Sequence, residues 1–148
     1  MPRYTQLVFV VVALAGSACA SIDFLPAADM HAGSTAEDAG PVHTELTVDE
    51  VAARLAARDG TTFVFDTDGK ELYAAGHVPS AIWIGYGDVP SGALPADKNA
   101  SLIFYCLNAT CDSAARAAHQ ATTLGFSHVY RMTAGIDGWR KAKNAVER

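Results

Sequence analysis

The 148-residue sequence lacks a basic cluster ahead of its carboxyl end, a membrane-length hydrophobic run and the glycine-rich motifs that hold nucleotide phosphates. Its formal net charge of −5 and pI near 5.4 argue against nucleic acid and against an anionic membrane surface as partners. The apolar run at residues 7–14 is too short to span a bilayer comfortably. Neither a P-loop nor a GxGxxG motif is present, so the sequence does not indicate either type of nucleotide-binding fold.

The first 20 residues have the layout of a secretory signal peptide. One basic residue precedes the apolar run, small residues follow it, and an A-x-A cleavage site ends at Ala20, which makes Ser21 the mature start. Alternatively, Cys19 is the lipidated first residue of a bacterial lipoprotein, since residues 14–18 resemble a lipobox, although Gly16 departs from it. We therefore expect an exported protein that is periplasmic or is anchored to the membrane by a lipid on Cys19.

Cysteine is scarce, and its distribution separates the leader from the rest of the chain. Cleavage after Ala20 removes Cys19, and lipidation blocks its thiol, so in either case Cys106 and Cys111 remain as a pair in an oxidising compartment. Residues 21–44 are rich in Ala, Gly, Ser, Asp and Pro without periodicity, which predicts a flexible linker. Residues 45–148 have the length of one domain with a full core.

The stretch from residue 101 to residue 120 organises that domain. Residues 102–105 are apolar or aromatic without alternation, as in a strand buried on both faces of a parallel sheet, and Cys106 follows at the strand end. An alanine-rich helix is predicted at residues 114–123, with Asp112 or Ser113 as its cap. A thiol between a strand end and a helix amino terminus is favoured as a thiolate nucleophile. The alternative is that Cys106 is a small buried apolar residue.

The other segments alternate between strand and helix patterns. A capping box at Thr47 and Glu50 begins one helix, and further strands are predicted at residues 62–65, 81–84 and 128–132, with a short helix at 71–75 and a last helix from Trp139. This alternation predicts an α/β fold with a mainly parallel sheet. Because ligands bind beyond the carboxyl ends of such strands, Asp66, Cys106 and the loop at 133–137 are expected to lie together.

Several segments together resemble the rhodanese-like (sulfurtransferase) domain family in order and spacing. They are Asp66, GHVPSAIWI at 76–84, LPADKNASLIFYC at 94–106, SAARAA at 113–118, LGFSHVYRM at 124–132 and AGIDGW at 134–139. The resemblance covers residues 46–143 and implies an open parallel sheet of about five strands with helices on both faces. It also implies that the cysteine opening a six-residue loop carries a persulfide, and Cys106 opens residues 106–111.

The resemblance implies sulfane-sulfur transfer from a small sulfur-containing donor to a thiol acceptor or cyanide, with no cofactor and no metal. Cys106 and Cys111 are the predicted catalytic residues, and loop N–H groups would stabilise a thiolate or the outer persulfide sulfur. The residues predicted to contact substrate are Asp66, Leu107, Asn108, Ala109 and Thr110. Asp66 is equally well explained as a residue that fixes the loop after its strand.

Three positions depart from the family pattern. Cys111 occupies the last loop position, where thiosulfate-using members often have arginine, and Asp112 follows it with a charge that opposes a thiolate. Asp68 stands where many relatives have arginine. All three lower the expectation of thiosulfate turnover. A phosphatase on the same fold needs C-x5-R, and the residue six after Cys106 is Asp112, so phosphatase activity is not expected.

The Cys106 and Cys111 pair has three interpretations. In the first, Cys111 is a resolving thiol that attacks a persulfide on Cys106, releases sulfide and leaves a disulfide, so that the domain is a sulfurtransferase or a thiol oxidoreductase. The pair is instead a static disulfide, which would add little chain-entropy stabilisation to so short a loop. Finally, two thiolates could bind a soft ion such as Cu(I) or Zn(II), for which the C-x4-C spacing alone is weak support. The last two interpretations make the domain a catalytically inactive binding module instead of an enzyme.

Overall fold

A computed structural model of the protein describes residues 43–148. The predicted signal peptide, the lipidation at Cys19 and nearly all of the predicted linker lie outside the described residues. The elements are β1 (Thr44–Leu46), α1 (Val48–Ala57), β2 (Thr62–Asp66), α2 (Lys70–Ala75), β3 (Ile82–Trp83), β4 (Ser101–Tyr105), α3 (Ser113–Thr123), β5 (His128–Met132) and α4 (Gly135–Lys141). Within residues 43–148, no helix has the length and apolar character needed to cross a membrane.

The five strands form one parallel sheet in the order β1-β5-β4-β2-β3. The central strand is β4, whose residues Leu102, Ile103, Phe104 and Tyr105 are fully buried. This burial explains the unbroken apolar run in the sequence, because both faces of a central parallel strand are covered. The predicted α/β fold with an open parallel sheet of five strands is confirmed.

Helices cover both faces of the sheet and create two cores. On one face, Phe65 and Phe104 pack with the alanines of α3, whose small side chains allow the helix to approach the sheet closely. On the other face, Val51 of α1 and Trp139 of α4 pack against the alternate residues of β4 and β5. Both layers leave the carboxyl ends of the strands uncovered by helix bodies, and the loops there form the candidate site.

Two elements differ most from the sequence prediction: one strand was not predicted, and one helix begins earlier than predicted. Strand β1 was not predicted, because it has three residues of which only Leu46 is buried. Helix α4 begins at Gly135 instead of Trp139, since the two glycines in its first turn weaken the helical pattern in the sequence. The capping box of α1 is confirmed: the N–H of Thr47 donates to the Glu50 carboxylate at 2.8 Å, and the Thr47 hydroxyl accepts from the N–H of Glu50.

Candidate functional site

The candidate site lies where the neighbouring strands β2 and β4 end. The two strands are parallel and in register, with Asp66 opposite Tyr105, so the residues that follow each strand meet at one edge of the sheet. A carboxylate oxygen of Asp68 and the sulfurs of Cys106 and Cys111 all lie within 4.8 Å of one another. The structure therefore brings the two predicted cysteines together with the acidic side chain of Asp68, which lies in the segment after the adjacent strand.

Cys106 and Cys111 are joined by a disulfide, with their Cα atoms 6.3 Å apart. All three interpretations of the pair require its two sulfurs to lie close together, as they do in the structure. The two ends of the disulfide differ in access, because Cys106 is only 2% exposed whereas Cys111 is partly exposed. In this state neither sulfur carries a thiolate charge, so the pair does not offer the two thiolate ligands that the soft-ion interpretation requires.

The inner half of the loop at residues 106–111 rests on the amino terminus of α4. The N–H of Ile136 donates to the carbonyl of Cys106 at 2.9 Å, and the N–H of Asp137 donates to the carbonyl of Leu107 at 3.0 Å. This contact requires Gly135, which has a φ of +62° and whose added Cβ would overlap the Cys106 carbonyl oxygen and lie 2.5 Å from the Leu107 carbonyl carbon. The close approach of two backbones therefore sets the position of Cys106.

The outer half of the loop is held by side chains. Arg131 of β5 donates to the carbonyl of Cys111 at 3.2 Å and to that of Ala109 at 3.4 Å. The Asn108 amide oxygen accepts from the N–H and the hydroxyl of Thr110, at 3.1 and 2.8 Å. The guanidinium also lies 3.6 Å from a carboxylate oxygen of Glu45, so its donors are committed to the loop backbone and to this ion pair.

The N–H groups of the loop are less occupied than its carbonyls. Those of Asn108 and Ala109 donate to no acceptor within residues 43–148, and that of Leu107 faces the Asp68 carboxyl group without forming a hydrogen bond of good geometry. Consecutive unpaired N–H groups form a concave site for a negative charge. A negative sulfur at Cys106 would lie at the base of this turn.

Asp68 is the residue that the sequence analysis did not assign to the site. It is fully buried, and neither of its carboxyl oxygens has a hydrogen-bond partner in the described part of the chain. Burial, followed by the charge of Asp66, raises the pKa of Asp68 to about 7, and the Leu107 N–H opposes this with a smaller effect. The sequence signal was present, because Asp68 stands where relatives carry arginine.

Asp66 is buried in the same segment but is fully partnered. Its carboxylate accepts from the Tyr105 hydroxyl at 2.5 Å and from the Asp68 N–H at 2.7 Å. Burial raises the pKa of Asp66 despite these hydrogen bonds, and burial together with the Asp66 charge raises the pKa of Tyr105. These contacts support the structural interpretation of Asp66, and its assignment to substrate binding stays a prediction.

The start of α3 differs from the predicted cap. Asp112 occupies the N-cap position, but its side chain makes no capping hydrogen bond. Ser113 points inward instead, where its hydroxyl lies 3.2 Å from the Cys111 sulfur and 2.8 Å from the hydroxyl of Thr67. A buried polar network thus connects the segment after β2 to the sulfur of Cys111.

Among the other predicted substrate contacts, Leu107 and Asn108 are partly buried, and Ala109 and Thr110 are exposed.

A sequence profile of the Rhodanese-like domain family matches residues 47–142. A crystal structure of a protein from Bacillus halodurans is 26% identical, with a TM-score of 0.59 over 72% of this chain and 77% of that one. The polysulfide-sulfur transferase from Wolinella succinogenes, a homodimer, is 19% identical, with a TM-score of 0.58 over 72% and 79% of the two chains. A human single-domain sulfurtransferase is 20% identical, with a TM-score of 0.54 over 66% and 95%.

Proposed function

The chain belongs to the rhodanese-like domain family, and from that premise we propose that it is a sulfurtransferase that carries sulfane sulfur as a persulfide on Cys106. The observation that carries the proposal is the loop at residues 106–111. Its carbonyls accept hydrogen bonds from α4 and Arg131, while the N–H groups of Asn108 and Ala109 have no acceptor among the described residues.

The transfer takes place in two displacements at sulfur. With the disulfide reduced, the Cys106 thiolate attacks the terminal sulfur of a donor persulfide, and the donor leaves as a thiolate that retains its own sulfur. The new Cys106 persulfide is anionic, and the unpaired loop N–H groups stabilise its outer sulfur. An acceptor thiolate then attacks that outer sulfur and restores the Cys106 thiolate.

Cys111 offers a second fate for the persulfide. Its thiolate attacks the inner sulfur, that of Cys106, so that the bond to the outer sulfur breaks and sulfide leaves with the electron pair. The product is the Cys106–Cys111 disulfide, which is the form that the structure contains. The short distance across the loop supports Cys111 as this resolving thiol.

The charges around the loop favour particular donors. Asp68 lies beside the sulfurs, Asp112 begins α3, and Arg131 is occupied by loop carbonyls. A dianionic donor such as thiosulfate would meet the carboxylate of Asp112, and that of Asp68 once it ionises above a pH of about 7, while the Arg131 cation is held by loop carbonyls. We therefore assign a low-molecular-weight organic persulfide, which carries a single negative charge, as donor and a thiol as acceptor.

The proposal places this chemistry outside the cytoplasm. The signal-like residues 1–20 support export to the periplasm of a bacterium, and Cys19 is the residue that a lipid anchor would use. The intact mass of the mature exported protein checks both statements. A mature chain that starts at Ser21 supports signal cleavage, one that starts at a lipidated Cys19 supports anchoring, and retention of the full leader contradicts export.

The test of the activity is the mass of a variant that cannot resolve its persulfide. Cys111→Ser protein, incubated with a small persulfide or polysulfide, is expected to gain one sulfur that is lost on mild reduction. The matched control is Cys106→Ser, which is expected to gain none. Equal loading of the two variants, or no loading of Cys111→Ser by any sulfane-sulfur donor, would contradict the proposal.

A further inference from the structure

We propose that external dithiols open the Cys106–Cys111 disulfide and that the Asp68 carboxyl group donates the proton taken up by the departing Cys106 sulfur. This thiol–disulfide exchange is an activity beyond sulfur transfer, and it uses a residue outside the family pattern. Three observations carry it: the disulfide itself, the unequal exposure of its two cysteines, and the carboxyl group beside them, which has no hydrogen-bond partner in the described residues.

Access determines which sulfur is attacked. Cys111 is partly exposed and its sulfur also contacts the Ser113 hydroxyl, whereas Cys106 is 2% exposed. An incoming thiolate therefore reaches Cys111, and the buried Cys106 is the leaving group. Leaving groups depart faster when their charge is stabilised or neutralised, and this is needed most for a sulfur in a buried position.

Asp68 is placed to neutralise that sulfur. Its carboxyl oxygens have no other partner in the described residues, and one of them lies within 4.8 Å of the Cys106 sulfur. The titratable and charged groups that face Asp68 come from its own segment, from β4 and from α4, and they are Asp66, Tyr105, Asp137 and Arg140. The two acidic neighbours and burial favour the protonated form, Arg140 opposes them, and the carboxyl group holds its proton up to a pH of about 7.

The exchange balances in two steps. The first thiolate of the dithiol bonds to the Cys111 sulfur, the disulfide bond breaks with its electron pair on Cys106, and Asp68 transfers its proton to that sulfur. The second thiolate of the dithiol then attacks the dithiol's own sulfur in the mixed disulfide and releases Cys111 as a thiolate. The dithiol is oxidised by two electrons, the pair is reduced by two, and the protons lost by the dithiol restore Asp68 and Cys111.

The test is the rate at which dithiothreitol reduces the disulfide between pH 5 and pH 9, followed by acid quenching, alkylation and intact mass. Each rate is divided by that of a small-molecule disulfide, which removes the ionisation of the reductant. We expect Asp68→Asn to be slower than wild type by about tenfold or more at pH 6. The difference is expected to shrink as the pH rises past about 7, where the Asp68 carboxyl group loses its proton.

The matched control is Asp137→Asn, which removes a nearby exposed carboxylate but retains Asp68. Because the Asp137 charge raises the pKa of Asp68, this variant should keep the acceleration and lose it at a slightly lower pH. Equal normalised rates of wild type and Asp68→Asn at pH 6, or a wild-type profile that is flat from pH 5 to pH 9, would overturn the proposal.

The wild-type profile provides a test even if Asp68→Asn does not fold. No sulfur donor enters the experiment, so its outcome is independent of persulfide loading on Cys106. A mature protein that stays fully reduced in air would also overturn the inference, because it would have no disulfide to open.

Discussion

The segment after β4 and the segment after β2 lie side by side at the site, but they are held in different ways. The loop at residues 106–111 is fixed through its backbone carbonyls, by N–H groups of α4 and by the guanidinium of Arg131. The segment at residues 66–68 is fixed through the side chains of Asp66 and Thr67, while the Asp68 carboxyl group has no hydrogen-bond partner within residues 43–148. The first segment provides a rigid frame of N–H groups, and the second provides a titratable group.

The largest expected effect comes from Gly135→Ala, which disrupts the contact between α4 and the loop at residues 106–111. The added Cβ would overlap the backbone of Cys106 and Leu107, and alanine would also be strained at a φ of +62°. We expect the free energy of unfolding to fall by about 4 kcal/mol or more, as measured by urea denaturation. The control is Gly125→Ala, which has a φ of +89° and no atom within 4 Å of the added Cβ. Gly125→Ala tests the backbone strain alone, and we expect it to lower the free energy of unfolding by about 1–2 kcal/mol. Equal decreases in the two variants would show that the close approach at Gly135 adds nothing to the strain.

The two buried carboxyl groups, Asp66 and Asp68, should differ in how they make the free energy of unfolding depend on pH. Folding raises the pKa of Asp68 from 3.8 to about 7, so between these values the folded state binds a proton that the unfolded state has released. The contribution of Asp68 to the free energy of unfolding is therefore fully present below pH 4 and is lost as the pH rises through about 7, a change of about 2–4 kcal/mol. We expect Asp68→Asn to remove most of this slope in urea denaturation at pH 5 and pH 8.

Asp66→Asn provides the contrast within the same segment. Its carboxylate accepts hydrogen bonds from Tyr105 and from the Asp68 N–H, so the substitution should cost about 2 kcal/mol at pH 5. The cost should be smaller at pH 8, because the substitution also removes the charge that repels an ionised Asp68. The comparison fails if Asp66→Asn and Asp68→Asn show the same stability at pH 5 and pH 8, since the two groups would then have equivalent roles.

The smallest effect is expected from loosening the outer half of the loop. Arg131→Gln removes the guanidinium that donates to the carbonyls of Ala109 and Cys111, at a cost of about 1 kcal/mol. Amide hydrogen exchange at residues 108–111 should become faster. The control is Glu45→Gln, which removes the carboxylate that faces Arg131 and His43 but keeps the Arg131 hydrogen bonds to the loop, and it should change stability by less than about 0.5 kcal/mol. Unchanged exchange in Arg131→Gln would show that α4 alone holds the loop.

Local pattern was sufficient to predict four of the five strands and the placement of Cys106, whereas the fifth strand followed only from the family resemblance. The unbroken apolar run before Cys106, the alanines after it and the capping box of α1 each determine their own element. Asp68 could not be assigned from pattern, because its lack of partners depends on the alignment of β2 with β4 and on the path of the loop. The early start of α4 was missed for a similar reason. Gly135 is a poor helix former, and it is needed there because the backbone of Cys106 and Leu107 leaves no room for a side chain.

The strand order also has a consequence for how the chain folds during synthesis. Among residues 43–148, strand β1 pairs only with β5, so Thr44–Leu46 has no neighbour from this part of the chain until His128–Met132 has been made. Partners this distant in sequence give the domain a high contact order, which slows folding. A nascent chain that emerges from the ribosome therefore carries an unpaired first strand through most of the domain's translation, and the sheet closes only when its last strand arrives.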